Sequence, residues 1–567
     1  MIVGLLLLVV LVAAVVLGAR KAMGRERGPV TEAHAIRRFF QYLLLFGLLV
    51  VVAVGFSGLL GRALDRDPIV AADDVELARS LAFTVVGVPL YAAVALWSRR
   101  RLLEDPLERL SLGWVFYVTA AAITSLIVAM TGLHATLSWA VGVGPDDPRA
   151  LARFLVWGLA WGLHWWVHLR LVPAGRSQVH HLAGSLVGLV TAVTGLASLL
   201  GSALWSLFFS GSDVVLSGGD EALTAGVTLA VAAPVWFLYW VRTASRAERD
   251  PLWLGYVLLP GVGGGLVMAV VSASTVVYDL LVWLLGDPEF SDAARHFNDA
   301  PWAAGAAATG ALVWWYHQAV LEEAHLKART EVRRVYEYLM SAIGLLAAAA
   351  GLTTLVVAGI EALTRTEAVF LGQSAVNTLL ASATLLVVGA PVWWFYWHRI
   401  QQAAVSAPAE EHASPTRRVY LLLLFGVGGI AAVVALLVGV YLLFEDLVQG
   451  TFGAETIRSM RVPIGVLLST GAIAAYHWSV YQGGRGVALP APHGPRFVLL
   501  VGPPDPQIAK AVAHETGGLV LAWATEDGGA PWTVDSVMAA LGSATPEHEV
   551  LVLSDTSGLH AIPVHRT

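Results

Sequence analysis

From Ile2 to Tyr481 the chain is written in long apolar blocks separated by short polar ones, each block running for about 20 residues, the length a helix needs to cross a hydrocarbon layer. The blocks predict about thirteen spanning helices, near residues 2–18, 39–60, 78–97, 112–133, 151–169, 182–207, 222–241, 254–284, 301–319, 336–360, 368–398, 419–444 and 462–481. The first block has no basic residue before it and Arg20, Lys21, Arg25 and Arg27 behind it. That is the reverse of a cleaved secretory signal, so the block reads as an anchor with its N-terminus outside. Loops that this topology places in the cytoplasm hold more than twice as many Lys and Arg as the outer loops, the bias expected of a correctly oriented multi-pass protein.

Superimposed on the blocks is a longer period. A Pro followed by an aromatic cluster recurs as Pro89, Pro234 and Pro391, and a His within an aromatic apolar run recurs as His164, His317 and His477. Each series advances by about 150 residues, which marks a tandem triplication. The expected units span 34–172, 178–325 and 331–482, after an anchor and basic loop at 1–33. Each unit holds four spans, so it enters and leaves on the same side and all copies point the same way. Inverted repeats, which need an odd number of spans per copy, are disfavoured. A pseudo-three-fold bundle and a linear array both fit. The three prolines each remove a backbone donor and are expected to kink their helices.

Beyond a Gly- and Pro-rich linker at 483–495 the pattern changes. Short apolar runs at 497–501, 519–523, 550–553 and 561–564 read as strands, with helices at 507–514 and 534–541 between them, so 496–567 is expected to form a small cytoplasmic α/β domain. Its segment VLLVGPPDPQIAK invites comparison with a phosphate loop, but it lacks GK[ST], and Pro503 and Pro504 remove amide donors. Ser554, Asp555 and Thr556 follow the third strand, where open α/β sheets bind ligands; a loop of small polar residues explains them equally. A domain of this size is expected to dock, sense or regulate.

Composition agrees with the pattern: 57% of the residues are hydrophobic and 13% charged, as in an integral membrane protein. There is no Cys, which excludes disulfides, thiolate-bound metal and a cysteine nucleophile. A formal charge of −6 without a basic patch argues against nucleic acid as a partner; the bilayer and other membrane subunits are the partners expected.

His164, His317 and His477 are the candidate ligand-binding residues, with Trp161 and Trp314 beside two of them. At one depth, three imidazoles facing a common axis would hold a ligand or relay protons. The competing reading is an interfacial aromatic belt, where amphipathic rings sit at headgroup level. His168, four residues after His164, and His398 admit a haem held by two histidines, although covalent attachment through CxxCH is excluded. No other cofactor and no metal is expected. Paired carboxylates and nucleophile–base constellations are not visible, so an enzyme is not expected.

The repeated helices, with their Pro and aromatic signature, resemble bacterial multi-span membrane domains known as domains of unknown function, over residues 34–482. The resemblance implies an all-α, multi-pass protein of the cell membrane and carries no catalytic residues with it. Two functions follow from the residues. One is a bundle that binds or transports a small molecule, ion or lipid, with the C-terminal domain as its regulator. The other is a solid membrane platform for other subunits.

Overall fold

The structure, a computed structural model, describes residues 29–65, 73–209, 218–322, 331–364, 375–483, 494–503, 505–525, 532–542, 549–555 and 558–564. The anchor expected at 2–18, nearly all of the linker and Thr556 lie outside these residues.

Among the described residues twelve long helices run in sequence: α1 Pro29–Leu64, α2 Asp73–Glu104, α3 Leu112–Ala140, α4 Pro148–Leu171, α5 Gln178–Phe209, α6 Gly218–Trp236, α7 Pro251–Leu285, α8 Ala300–Glu322, α9 Glu331–Leu363, α10 Ala375–Ser406, α11 Pro415–Gln449 and α12 Arg461–Gly483. Among the described residues, nine helices are long and apolar enough to cross a membrane. The long helices that fall short are α4, α8 and α12. These carry the recurrent histidines together with Trp, Tyr and charged residues, which lower their apolarity without shortening them. Thirteen spans were expected; the first of them lies outside the described residues, and α4, α8 and α12 are long but less apolar than the other nine.

Local chemistry sets the ends. Ser111 and Asp250 accept the backbone N–H of Trp114 and Trp253, capping α3 and α7, and Pro148 and Pro251 occupy first-turn positions where a missing N–H is harmless. Gly450, at φ 70°, closes α11 in the left-handed conformation that favours glycine. Helices α2 and α10 remain α-helical through Pro89 and Pro391. After Pro234, by contrast, the backbone widens into a π-helical turn at Phe237–Val241, and α7 does the same at Val257–Gly263 around Pro260. Such a turn absorbs the bond that proline cannot make.

The described chain divides into two compact units. One takes in the described residues up to Val332 with Ile343–Val392 and Gly453–Arg461; the other holds Arg333–Ala342, Trp393–Phe452 and Val462 onward. In the first unit the same packing order occurs twice: α1 lies against α2 and α4 while α3 lies against α4, and α5 lies against α6 and α8 while α7 lies against α8. Glycine sets how closely these helices approach. A β carbon on Gly305 of α8 would sit 2.5 Å from the backbone N of Gly201 in α5, so neither position admits a side chain without parting the helices.

A polar clamp recurs at the head of two four-helix sets. In the first unit Arg38 Nε donates to Glu108 at 2.7 Å and the Tyr42 hydroxyl donates to the same carboxylate at 3.1 Å. In the second, Arg334 Nε and the Tyr338 hydroxyl donate to Glu411, each at 3.0 Å. Both carboxylates are almost wholly buried. Each sits in a short helix, Pro106–Leu110 or Pro408–Ala413, that precedes the third helix of its set, so the clamp ties that connection to the first helix.

The second unit also contains the C-terminal α/β domain, with α13 Pro506–Thr516, α14 Val534–Leu541 and strands β1 Phe497–Gly502, β2 Leu519–Ala524, β3 Glu549–Asp555 and β4 Gly558–Val564. The sheet order is β2-β1-β3-β4, with β1 parallel to β2 and β3 and with β4 antiparallel to β3. Val498, Leu500, Val550 and Val552 point from one face into a core closed by Ile508 and Val512 of α13 and Val537 and Leu541 of α14.

Removing a buried carboxylate from a clamp strands an arginine, which costs about 3 kcal/mol or more, whereas replacing both partners with apolar residues removes most of that penalty. Glu411→Ala is therefore expected to lower the unfolding temperature of the purified protein, followed by tryptophan fluorescence, and Glu411→Leu combined with Arg334→Met to restore most of it. Equal damage from the single and double variants would show that the ion pair itself is indispensable.

Candidate functional site

The three recurrent histidines share one local design. Each points Nδ1 at the carbonyl four residues earlier: His164 to Ala160 at 2.8 Å, His317 to Val313 at 2.8 Å and His477 to Ile473 at 2.9 Å. An Nδ1–H donor in that bond leaves Nε2 as the acceptor. His164 Nε2 accepts from the Tyr117 hydroxyl at 2.9 Å, and Tyr117 in turn accepts from Tyr91 at 3.2 Å. His477 Nε2 faces the Tyr420 hydroxyl at 3.4 Å. In the middle set the tyrosine at the same place, Tyr256, accepts from Trp236 Nε1 and donates to the Ser185 carbonyl, and His317 Nε2 is buried without a hydrogen-bond partner.

All three imidazoles are buried, at 2, 1 and 0% exposure, so they do not face lipid headgroups as a belt requires. Their neighbours Trp166, Trp315 and Trp478 are the residues turned outward. Nor do ring contacts bring the recurrent histidines together. His164 packs on Tyr117, His317 on Trp236, Trp240, Tyr256 and Tyr316, and His477 on Trp397, Tyr420 and Tyr476. His317 and His477 are each the centre of an aromatic box, whereas among the described residues His164 has the one ring of Tyr117 beside it. The indoles of Trp240 and Trp397 close the two boxes by donating to Tyr316 and Tyr476, the residues just before His317 and His477. Trp161 donates to Tyr239 at 2.9 Å, while Trp314 has its indole N–H buried and unpartnered. The glycines of α7 are packing positions: a β carbon on Gly261 would meet the His317 ring at 2.5 Å, and one on Gly265 would meet the Trp314 backbone N at 2.6 Å.

The histidines that do gather are different ones. His168 at the end of α4 stacks on His180 at the start of α5, with centroids 3.9 Å apart and planes 17° from parallel, and His181 stands edge-on to His168 at 5.0 Å. Trp165 packs against this group, and both ring nitrogens of His180 are buried without a partner. The rings stack rather than converge, and among the described residues no group of three or more His, Cys, Asp or Glu is set to hold a metal ion. The residue pattern carries a signal for this group: His180 and His181 stand where the other two sets have Arg37 and Arg38 or Arg333 and Arg334, in the segments VHHLAGSL, IRRFFQYL and VRRVYEYL.

Hydrogen bonding ranks the histidines by what their loss strands. His164→Phe leaves the Tyr117 hydroxyl buried without its acceptor and is expected to cost about 1–3 kcal/mol, whereas His317→Phe removes an unpartnered nitrogen from an aromatic box and costs less. Thermal unfolding of the two variants tests the order, and a larger loss for His317→Phe would point to a bound partner at its Nε2.

Residues 38–167 and 334–472 each match the family model described as Domain of unknown function (DUF5671), so this domain occurs twice, over somewhat less than half of the chain. No curated protein and no solved structure matches the chain. Both matched segments begin at the arginine of a clamp, Arg38 or Arg334, and the histidine-bearing stretch between them is unmatched.

Proposed function

We propose that the chain is a multi-pass membrane protein, an anchor followed by three parallel four-helix repeats, and that it binds an amphipathic lipid in a groove lined by α7, α9 and α10. The N-terminus lies outside and the α/β domain in the cytoplasm, in keeping with the charge bias of the loops. Helix α11 supports the membrane reading: it is highly apolar, yet Leu422, Val427, Ile430 and Leu437 are all more than 60% exposed. Hydrocarbon tolerates such a surface and water does not.

The groove carries the functional reading. Its volume is about 480 Å³, within the range of ligand sites, and its walls are Val267, Val271 and Ser274 of α7, Ala347 and Ala350 of α9 and Thr384 of α10. The lining is almost entirely apolar and suits an acyl chain. The Ser274 hydroxyl is buried there without a partner, whereas the Thr384 hydroxyl is satisfied by the Leu380 carbonyl. An ester or hydroxyl on the ligand would supply what Ser274 lacks. Near the start of α10, Asn377 brackets Asp287 with two backbone bonds of 2.9 and 2.8 Å. A second reading, a solid platform without a ligand, is favoured by the filled aromatic boxes around His317 and His477.

Lipid retained through purification in mild detergent and identified by mass spectrometry distinguishes the two. Ala350→Phe, which fills the groove, is expected to reduce retained lipid about tenfold, equivalent to roughly 1.4 kcal/mol, while Leu422→Phe on the exposed face of α11 leaves it unchanged. Retention that is equal in all three proteins, or absent from the unsubstituted one, would support the platform.

A further inference from the structure

Among the described residues, the C-terminal sheet has helices on one face only. Both α13 and α14 cover the side bearing Val498, Leu500, Val550 and Val552. Parallel strands in α/β domains are normally covered on both faces, because both are apolar. The open face here is apolar as well. Strand register arranges it in three rows across β2, β1, β3 and β4: Leu519, Phe497, Glu549 and Val564; then Leu521, Leu499, Leu551 and Ile562; then Trp523, Val501, Leu553 and His560. Leu519, Leu521, Trp523 and Ile562 are 60, 43, 57 and 44% exposed. With their half-exposed neighbours they offer on the order of 600 Å², a contiguous patch of the size that marks an interaction site.

We propose that this face docks on the same face of a second copy of the chain. Two arguments select that occupant. The first is area: two such faces would together cover roughly 1,200 Å², the lower end of what a stable specific interface requires. The second is charge. Ten of the twelve positions are apolar, and the two that are not, Glu549 and His560, lie in opposite outer rows on neighbouring strands. A two-fold axis in the plane of the face, perpendicular to the strands and passing through the middle row, exchanges the outer rows. It brings Glu549 of each copy diagonally across from His560 of the other, where an imidazole N–H can donate to the carboxylate. His560 already lies 3.5 Å from Asp555 of its own chain. A bilayer would instead have to accept Glu549 among hydrocarbon, which is costly. The same operation sets Leu499 against Leu499 and Leu551 against Leu551, a dry centre of the isologous kind that two-fold dimers use. The proposal is independent of the lipid groove.

Because the chain has no Cys, single-cysteine variants of the full protein in membranes report the contact directly. Leu499→Cys and Leu551→Cys are expected to form a disulfide-linked dimer under mild oxidation, while Lys510→Cys, exposed on the helical side, does not. Trp523→Glu in the Leu499→Cys background should lower the dimer yield about tenfold with the unfolding temperature unchanged, as expected when a charge is placed in an apolar contact. Glu549→Arg should lower it similarly, and adding His560→Glu should restore it. Equal cross-linking of Lys510→Cys, no cross-linking at any site, or quenching of a fluorophore on Leu499→Cys by spin-labelled lipid would overturn the proposal; the last outcome would assign the face to the bilayer.

Discussion

In hydrocarbon no hydrophobic force drives one helix against another, and every backbone polar group must be satisfied within its own helix. The helical part of this protein, with nine described helices long and apolar enough to cross a membrane, fits that constraint. Its outward surfaces are Leu, Val and Phe, as apolar as lipid, and contribute nothing to association. What remains is close approach and a small number of polar ties. Close approach comes from pairs such as Gly201 and Gly305, where two backbones meet with no side chain between them. The ties are bonds that only the folded arrangement offers: arginine and tyrosine on a buried glutamate, tyrosine on histidine, and indole on tyrosine. Each tie joins helices distant in sequence, so together they specify which helices are neighbours, while apolar contact supplies dispersion without direction.

The clamps show how a duplicated sequence keeps one such tie. Arg38 and Tyr42 are four residues apart on one helical face, as are Arg334 and Tyr338, and each pair meets a glutamate three residues before a serine. The spacing is needed because guanidinium and hydroxyl must reach the two oxygens of one carboxylate. In the middle set the corresponding residues are His181 and Ser185, which are too short and too weakly basic to make that clamp. A stack of His168, His180 and Trp165 fills the place instead. The family match has the same discontinuity, since it covers the two stretches with a clamp and skips the one without.

Much of the architecture was legible because it is dictated by period and length. The apolar blocks located the helices, and alternation after residue 496 located all four strands and both helices of the C-terminal domain within a few residues. Pro234 was legible as a perturbation, but the π turn beyond it depends on tertiary packing. The site was less legible. His164, His317 and His477 stood out through recurrence, yet recurrence cannot distinguish a residue facing a common axis from one buried in its own set. Their partners Tyr117 and Tyr420 lie 47 and 57 residues away, a contact that no local pattern reveals. The clamps were written plainly as two Arg-Arg segments with a tyrosine four residues on. Arginines beside an apolar block, however, first suggest topology rather than structure.

Burial changes what the histidine tier means. The polar atoms of a buried tyrosine–histidine pair serve specificity: they permit one register between two helices that apolar contact alone would let slide. The argument is strongest where partners are complete, as in the chain from Tyr91 through Tyr117 to His164, which ends on the Ala160 carbonyl. It weakens where a partner is missing. A buried group without a hydrogen bond costs free energy in every folded molecule and persists when something outside the chain satisfies it or when surrounding contacts outweigh it. Ser274 in its groove fits the first case, because an apolar ligand with one polar group would fill the space and the valence together. His317 fits the second, because four aromatic side chains enclose its ring and Gly261 admits it closely. The same buried, unpaired polar atom therefore points to a ligand where the surroundings are open and to packing where they are filled.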